Sequence, residues 1–315
     1  MSKEKIRNSI WFVIFDGLKI YFSNIDKFIL YMLFPVFGQI AGLALAFGLT
    51  VGFADKVAQK AHSMNSAMAI ILLLAIPGLL IFMKAFWDYM VAYVALNSMT
   101  EGAITTGHVY DIQAHRQVAT RRAFKYIGFL FVVGFLSLFG VLTTTILIGL
   151  VPSLIFWVFF MLVYQVFTFE DELSVKECFK RSFNLVKGDW VRTFFLMIIL
   201  WFFSIYIITE GVSVIFDCLH LTDKICALFD FAGNNMPLEY FNKALRYINL
   251  PEITVNMVSK TIFMTVLTTI VAGLSLPIRS ICCTLWYKTM TSLKDGKTEQ
   301  KPKKQKKSKK EKEEE

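Results

Sequence analysis

The chain has 315 residues, of which 56% are hydrophobic and only 18% are charged, and its formal net charge is +9. Soluble proteins average about 25% charged residues, and a soluble domain of this size cannot bury 31 Phe together with its Leu and Ile. The composition therefore excludes an ordinary soluble domain and predicts that lipid is the apolar solvent.

Six apolar runs follow one another along the chain. A hydrocarbon core of about 30 Å needs roughly 20 apolar residues per helix, and we place the spans at about 28–51, 67–96, 126–147, 153–167, 191–215 and 258–287. The sequence therefore predicts an all-α fold, a polytopic membrane helical bundle of six transmembrane helices within one membrane domain, residues 1–293.

Amphipathic interfacial helices are predicted next to the spans, because apolar residues recur there at helical spacing. They cover residues 6–21, 111–124 and 173–187. A further one is predicted where Leu238, Phe241, Leu245 and Ile248 share one helical face. In the third segment, Ser174 and Glu177 match the capping-box pattern, and Gly188 suits a left-handed helix stop.

Lys and Arg are concentrated before the first span, in alternate loops and in the tail. By the positive-inside rule this predicts that both termini are cytoplasmic. The tail, residues 294–315, holds ten Lys and six acidic residues and is predicted to be a disordered, solvated segment. Contact with anionic membrane lipids is an alternative for this tail. Nucleic acid is not expected as a partner, because the tail has no aromatic residue for base stacking.

Charged side chains inside spans are costly and are candidates for function. Lys84 and Asp88 stand four residues apart on one helical face, and Arg279 falls toward the same predicted side of the membrane. They form either a satisfied packing cluster with snorkelling side chains or a polar site for transport. Glu210 is predicted to be interfacial.

Catalytic patterns are missing from the sequence, so we expect neither an enzyme nor a cofactor or metal site. The four His residues show no metal-ligand spacing. Glu170, Asp171 and Glu172 are predicted to complement a helix dipole. Cys218 and Cys226 are either small hydrophobic residues or a disulfide pair in an oxidising compartment.

The segment from Glu170 to Trp190 resembles a pattern in the YciC-like and glycerophosphoryl-diester-phosphodiesterase membrane-domain families. The positions that carry it are Glu170, Ser182, Lys187, Gly188 and Trp190. The Pro-containing turn at 149–152 and the stretch from Leu276 to Tyr287 are similar to the families' patterns, whereas Lys288 to Met290 depart from them. The resemblance implies a six-helix bacterial inner-membrane protein without the soluble catalytic barrel.

Two functions remain open at this point. The first is a non-enzymatic integral membrane protein that takes part in envelope maintenance or serves as a membrane-embedded partner. The alternative is a small transporter or lipid-handling protein that uses Lys84, Asp88 and Arg279. The sequence names no protein partner.

Overall fold

A computed structural model describes residues 9–60, 63–109, 111–121, 123–144, 150–236, 238–247 and 249–311. Every regular element in these ranges is a helix. The all-α prediction is therefore confirmed for the part of the chain that the structure covers.

We number the α-helices in chain order. They are α1 (Ile10–Ser23), α2 (Ile25–Lys60), α3 (Met64–Thr106), α4 (Ile112–Thr120), α5 (Ala123–Thr144), α6 (Leu150–Phe160), α7 (Val163–Phe169), α8 (Val175–Val186), α9 (Trp190–Trp201), α10 (Ile208–Cys218), α11 (Thr222–Asn234), α12 (Leu238–Tyr247), α13 (Val255–Leu274) and α14 (Leu276–Glu311). A π-helical segment, Phe202–Ile207, joins α9 to α10.

Six stretches are long and apolar enough to cross a membrane, as predicted. They are Ile25–Ala54, Met64–Thr106, Phe124–Thr143, Val151–Phe169, Trp190–Cys218 and Val255–Lys294. Large apolar side chains such as Leu72, Leu80 and Phe131 are exposed on them. Such surfaces are stable only where lipid covers them, so the chain is a multi-pass membrane protein.

The chain divides into two compact units. Unit 1 comprises residues 1–28, 91–200 and 277–315, and unit 2 comprises residues 29–90 and 201–276.

Unit 1 holds most of the large, fully buried side chains, among them Trp286, Tyr126, Phe129 and Phe167. The rings of Phe129 and Phe167 stack with their centroids 4.6 Å apart, a separation typical of favourable aromatic pairs. These residues come from α5, α7 and α14, so the core of this unit joins elements that are distant in sequence.

Unit 2 depends on the close approach of α2 and α3. A Cβ atom on Gly42 would lie 2.5 Å from the backbone nitrogen of Phe82, and one on Gly78 would overlap the backbone of Ala46. Small residues permit this backbone contact, which is the usual means of packing helices in lipid. A second cluster in this unit contains Cys226, Phe263, Leu267 and Val271.

The sixth span is interrupted at Ser275, between α13 and α14. Pro277 follows at the second residue of α14, where its missing N–H needs no partner. The Ser275 hydroxyl donates to the backbone oxygen of Ser204, 2.9 Å away in the π-helical segment. This hydrogen bond thus connects the break in the sixth span to the π-helical segment of the fifth span.

Two predictions about less regular parts have different outcomes. Cys218 and Cys226 are both free thiols, the first exposed and the second buried, so they do not form the disulfide considered above. The backbone of α14 continues as a helix to Glu311, into the stretch where disorder is predicted. Side chains beyond Lys294 lie outside the described residues, and the solvated tail stays a prediction.

Candidate functional site

Lys84 and Asp88 form an ion pair within α3. The Lys84 ammonium lies 2.6 Å from both carboxylate oxygens of Asp88, the arrangement predicted from their i,i+4 spacing. The Lys84 side chain is 54% exposed and that of Asp88 only 7%. The ammonium also lies 5.8 Å from the centre of the Phe34 ring. The pair therefore neutralises a buried carboxylate and leaves part of the cation accessible.

Arg279 belongs to unit 1, whereas Lys84 and Asp88 belong to unit 2. Its neighbours in unit 1 include Tyr93 and Cys283, whose hydroxyl and thiol are 3.9 Å apart. The clustering of Arg279 with the Lys84–Asp88 pair stays a prediction.

Unit 1 contains a buried polar network centred on the side chain of Asn97. Its amide nitrogen donates to the Thr168 hydroxyl at 3.1 Å. Its carbonyl oxygen accepts from Gln165 at 3.2 Å, from Ser280 at 2.7 Å and from Thr284 at 3.3 Å. All five residues are buried. We call this set the Asn97 network.

The elements explain why these five side chains meet. Gln165 and Thr168 are three residues apart on α7, and Ser280 and Thr284 are one turn apart on α14, so each pair lies on one helical face. Asn97 on α3 reaches both pairs with its donor and its acceptor. Burial makes the hydrogen bonds expensive to break, and the network holds three helices of unit 1 in register.

Sequence reasoning missed the Asn97 network because it searched the spans for charges. A usable signal existed: uncharged polar residues spaced at i,i+3 or i,i+4 within otherwise apolar runs. Such residues form interhelical hydrogen bonds in membrane bundles. The sequence does not show which helices are neighbours.

The segment that carries the family resemblance, Glu170 to Trp190, is built around α8, and we call it the α8 segment. Ser174 and Glu177 make the predicted capping box, with both reciprocal hydrogen bonds present. The bonds from the Ser174 hydroxyl and backbone lower the pKa of Glu177. Gly188 has φ +100°, the left-handed conformation predicted for the helix stop. Local sequence thus determines both ends of α8.

Glu170 has a different role from the one predicted. Its Oε1 accepts from the Arg181 guanidinium at 3.0 Å and from the Tyr287 hydroxyl at 2.8 Å. Glu170 ends α7, Arg181 lies in the middle of α8 and Tyr287 lies on α14. The carboxylate therefore links three helices of unit 1, whereas Glu177 supplies the negative charge at the N-terminus of α8.

Two further residues of the segment, Ser182 and Lys187, help to hold α8 in place, whereas Trp190 packs within α9. The Ser182 hydroxyl donates to the backbone oxygen of Phe159 at 2.8 Å. The Lys294 ammonium donates to the backbone oxygens of Asn184 and, at 2.7 Å, of Lys187, which cap the C-terminal end of α8. Trp190 stacks on Phe194 with ring centroids 5.3 Å apart.

Most of the apolar face of α8 is buried within unit 1. Cys178, Leu185 and Val186 are fully buried, whereas Phe183 packs on Phe159 with ring centroids 4.5 Å apart and stays 37% exposed. The helix therefore uses most of its apolar face for protein contacts, and its charged face points outward with Lys176, Lys180 and Lys187 exposed.

Replacing Glu170 with Gln is expected to loosen α8, because Arg181 loses its charged partner. A hydrogen bond of this kind contributes about 1 kcal/mol, which corresponds to about fivefold faster amide exchange in Val175–Val186 if local opening controls exchange. Hydrogen–deuterium exchange mass spectrometry measures this. Glu172→Gln, an exposed change in the same cluster, is the control, and equal exchange in both variants would contradict the assigned role.

Helix α12 has an unusual orientation of its side chains. Asn242 is turned inward, donating to the backbone oxygen of Ile253 at 3.0 Å and accepting from its N–H at 2.8 Å. Tyr240 and Tyr247 lie on the opposite face and are 77% and 80% exposed. We call these two residues with the neighbouring Phe241 the α12 aromatic surface.

No group of three or more His, Cys, Asp or Glu residues with metal-binding geometry occurs among the residues described. His115 bonds the Ser98 hydroxyl at 3.0 Å, and burial lowers its pKa although Asp111 opposes this shift.

The chain matches no family model, no curated protein and no solved structure.

Proposed function

We propose that this chain is a multi-pass protein of a bacterial inner membrane that acts without catalysis, as a membrane-embedded partner in envelope maintenance. Both termini face the cytoplasm in this proposal, which rests on the distribution of Lys and Arg. The resemblance of the α8 segment to the two membrane-domain families supports the inner-membrane location.

The α12 aromatic surface is the observation that carries the proposal. Exposed Tyr and Phe side chains are enriched at the centres of protein interfaces. The double hydrogen bond between Asn242 and Ile253 fixes the helix, and the ion pair between Arg246 and Glu252, 2.9 Å long, joins its end to the following segment. A preorganised aromatic surface loses little conformational entropy when a partner binds.

Site-specific photo-crosslinking tests the partner role. With a benzophenone amino acid in place of Tyr240 or Tyr247, we expect one or a few discrete protein adducts in native membranes, identifiable by mass spectrometry. The same amino acid at Phe139, an exposed position on span-forming α5, is the control. Adducts only to lipid at all three positions would contradict the proposal.

Labelling of single cysteines tests the orientation. In a background with Cys218→Ser, a membrane-impermeant maleimide added to intact spheroplasts is expected to label Tyr247→Cys and not Lys187→Cys, which becomes reactive only after lysis. The reverse pattern would overturn the assignment of the termini.

A transporter or lipid-handling function is the second candidate, because Lys84 is half-exposed beside a buried carboxylate. If this function is correct, Asp88→Asn should abolish pH-dependent proton uptake by liposomes containing the protein and leave its thermal unfolding unchanged. Asp26→Asn, an exposed acidic residue on α2, is the matched control. Loss of expression in Asp88→Asn, with no uptake by the native protein, would assign the ion pair to packing.

A further inference from the structure

An open groove of ≈ 440 Å³ runs along one side of α13 in unit 2. Its lining residues are Lys260, Thr261, Met264, Thr265, Thr268 and Thr269. We propose that this groove binds an anionic phospholipid, with the phosphate on Lys260 and the glycerol and upper acyl chain along the threonine side. The site is separate from the α12 aromatic surface and does not depend on the proposed function.

The first argument is the position of Lys260 relative to the hydrocarbon core. After Lys260, the remaining fourteen residues of α13, Thr261 to Leu274, contain no charged residue. They rise about 21 Å, which is most of the roughly 30 Å of a bilayer core. Lys260 is therefore placed at one boundary, where lipid phosphates lie, and the groove runs from it into the apolar region.

The second argument is the charge of Lys260. Its side chain is exposed and has no ion-pair partner within 4 Å among the residues described. The nearby acidic residue Asp230 accepts a hydrogen bond from the Ser259 hydroxyl at 2.6 Å. An ammonium at the membrane boundary attracts anionic headgroups.

The third argument is the chemistry of the groove wall. The hydroxyls of Thr261, Thr265 and Thr269 each donate to the backbone oxygen four residues earlier, at 2.7, 2.7 and 2.8 Å. Their donors are thus already used, and the wall offers methyl groups and weak acceptors. From Thr261 to Thr269 the helix rises about 12 Å, which matches the glycerol region and the first part of an acyl chain.

Native mass spectrometry of the full chain in detergent tests the proposal, with phosphatidylglycerol and phosphatidylcholine as separate probes. We expect phosphatidylglycerol to be retained, and Lys260→Gln to weaken its binding about fivefold, the effect of one Lys at an anionic surface. Lys243→Gln, an exposed Lys on α12 in the same unit, makes the same change of charge outside the groove and should have no effect.

A second variant fills the groove without changing its charge. Thr265→Phe is expected to weaken phosphatidylglycerol binding as well, whereas Val214→Phe, at an exposed position on α10, should not. Equal loss in Lys260→Gln and Lys243→Gln, unchanged binding in Thr265→Phe, or equal retention of both lipids would overturn the proposal. The proposal would also be wrong if the native protein were a dimer without bound lipid and Thr265→Phe dissociated this dimer. A second copy of the chain, and not a lipid, would then cover the groove.

Discussion

Replacing Gly78 with Ala is expected to destabilise unit 2 by about 1–3 kcal/mol, the usual cost of overpacking. The new Cβ would overlap the backbone nitrogen of Ala46 and lie 2.5 Å from the Gly42 carbonyl oxygen. Backbone atoms cannot rotate away as a flexible side chain does, so α2 and α3 must separate. Thermal unfolding in detergent, followed by far-UV circular dichroism, measures the loss.

Gly52→Ala on α2 is the matched control and is expected to stabilise the protein rather than destabilise it. A Cβ at this position meets no atom within 4 Å, and Ala is favoured over Gly in a helix interior by about 1 kcal/mol. The two substitutions are chemically identical, so a similar effect at both positions would show that backbone contact between α2 and α3 does not determine stability.

Replacing Asn97 with Leu is expected to lower the melting temperature of the protein by about 5 °C or more. Leu fills a similar volume but leaves the hydroxyls of Ser280 and Thr284, and the amide of Gln165, without their shared acceptor. Each buried group that loses its partner costs about 1–3 kcal/mol. Trp fluorescence during heating reports this change, because Trp286 is fully buried in the same unit.

Asn65→Leu makes the same substitution at an exposed position of the same helix and should leave the melting temperature unchanged. Gln165→Leu is expected to cost less than Asn97→Leu, because the Asn97 carbonyl keeps two other donors. The role assigned to the Asn97 network would be wrong if Gln165→Leu were the more damaging change.

Local rules predicted the helices well. The six spans follow from runs of apolar residues, because a single segment in lipid satisfies its own backbone hydrogen bonds only as a helix. The ends of α8 could be predicted equally well from the sequence, because Ser174, Glu177 and Gly188 act only on their own neighbours. The break at Ser275 falls inside the single span predicted at 258–287, and the hydrogen-bond partner of Ser275, Ser204, lies 71 residues away.

The polar contacts were harder to predict. The Lys84–Asp88 pair follows from spacing on one helix, and the sequence indicated it. The Asn97 network and the Glu170–Arg181–Tyr287 contacts each join three helices, and their members are separated by as many as 187 residues. Periodicity reveals which face of a helix is polar, but not which helix lies opposite.

The amino-acid sequence by itself determined the environment of this protein: a multi-pass helical chain in lipid, with an amphipathic helix capped at both ends between its fourth and fifth spans. These properties depend on composition and on interactions over one helical turn. Only the tertiary structure decided that Asn97 is the centre of a buried network, that Glu170 links three helices and that Gly42 and Gly78 bring backbones into contact. Those features depend on which helices are neighbours, and packing between distant segments determines that.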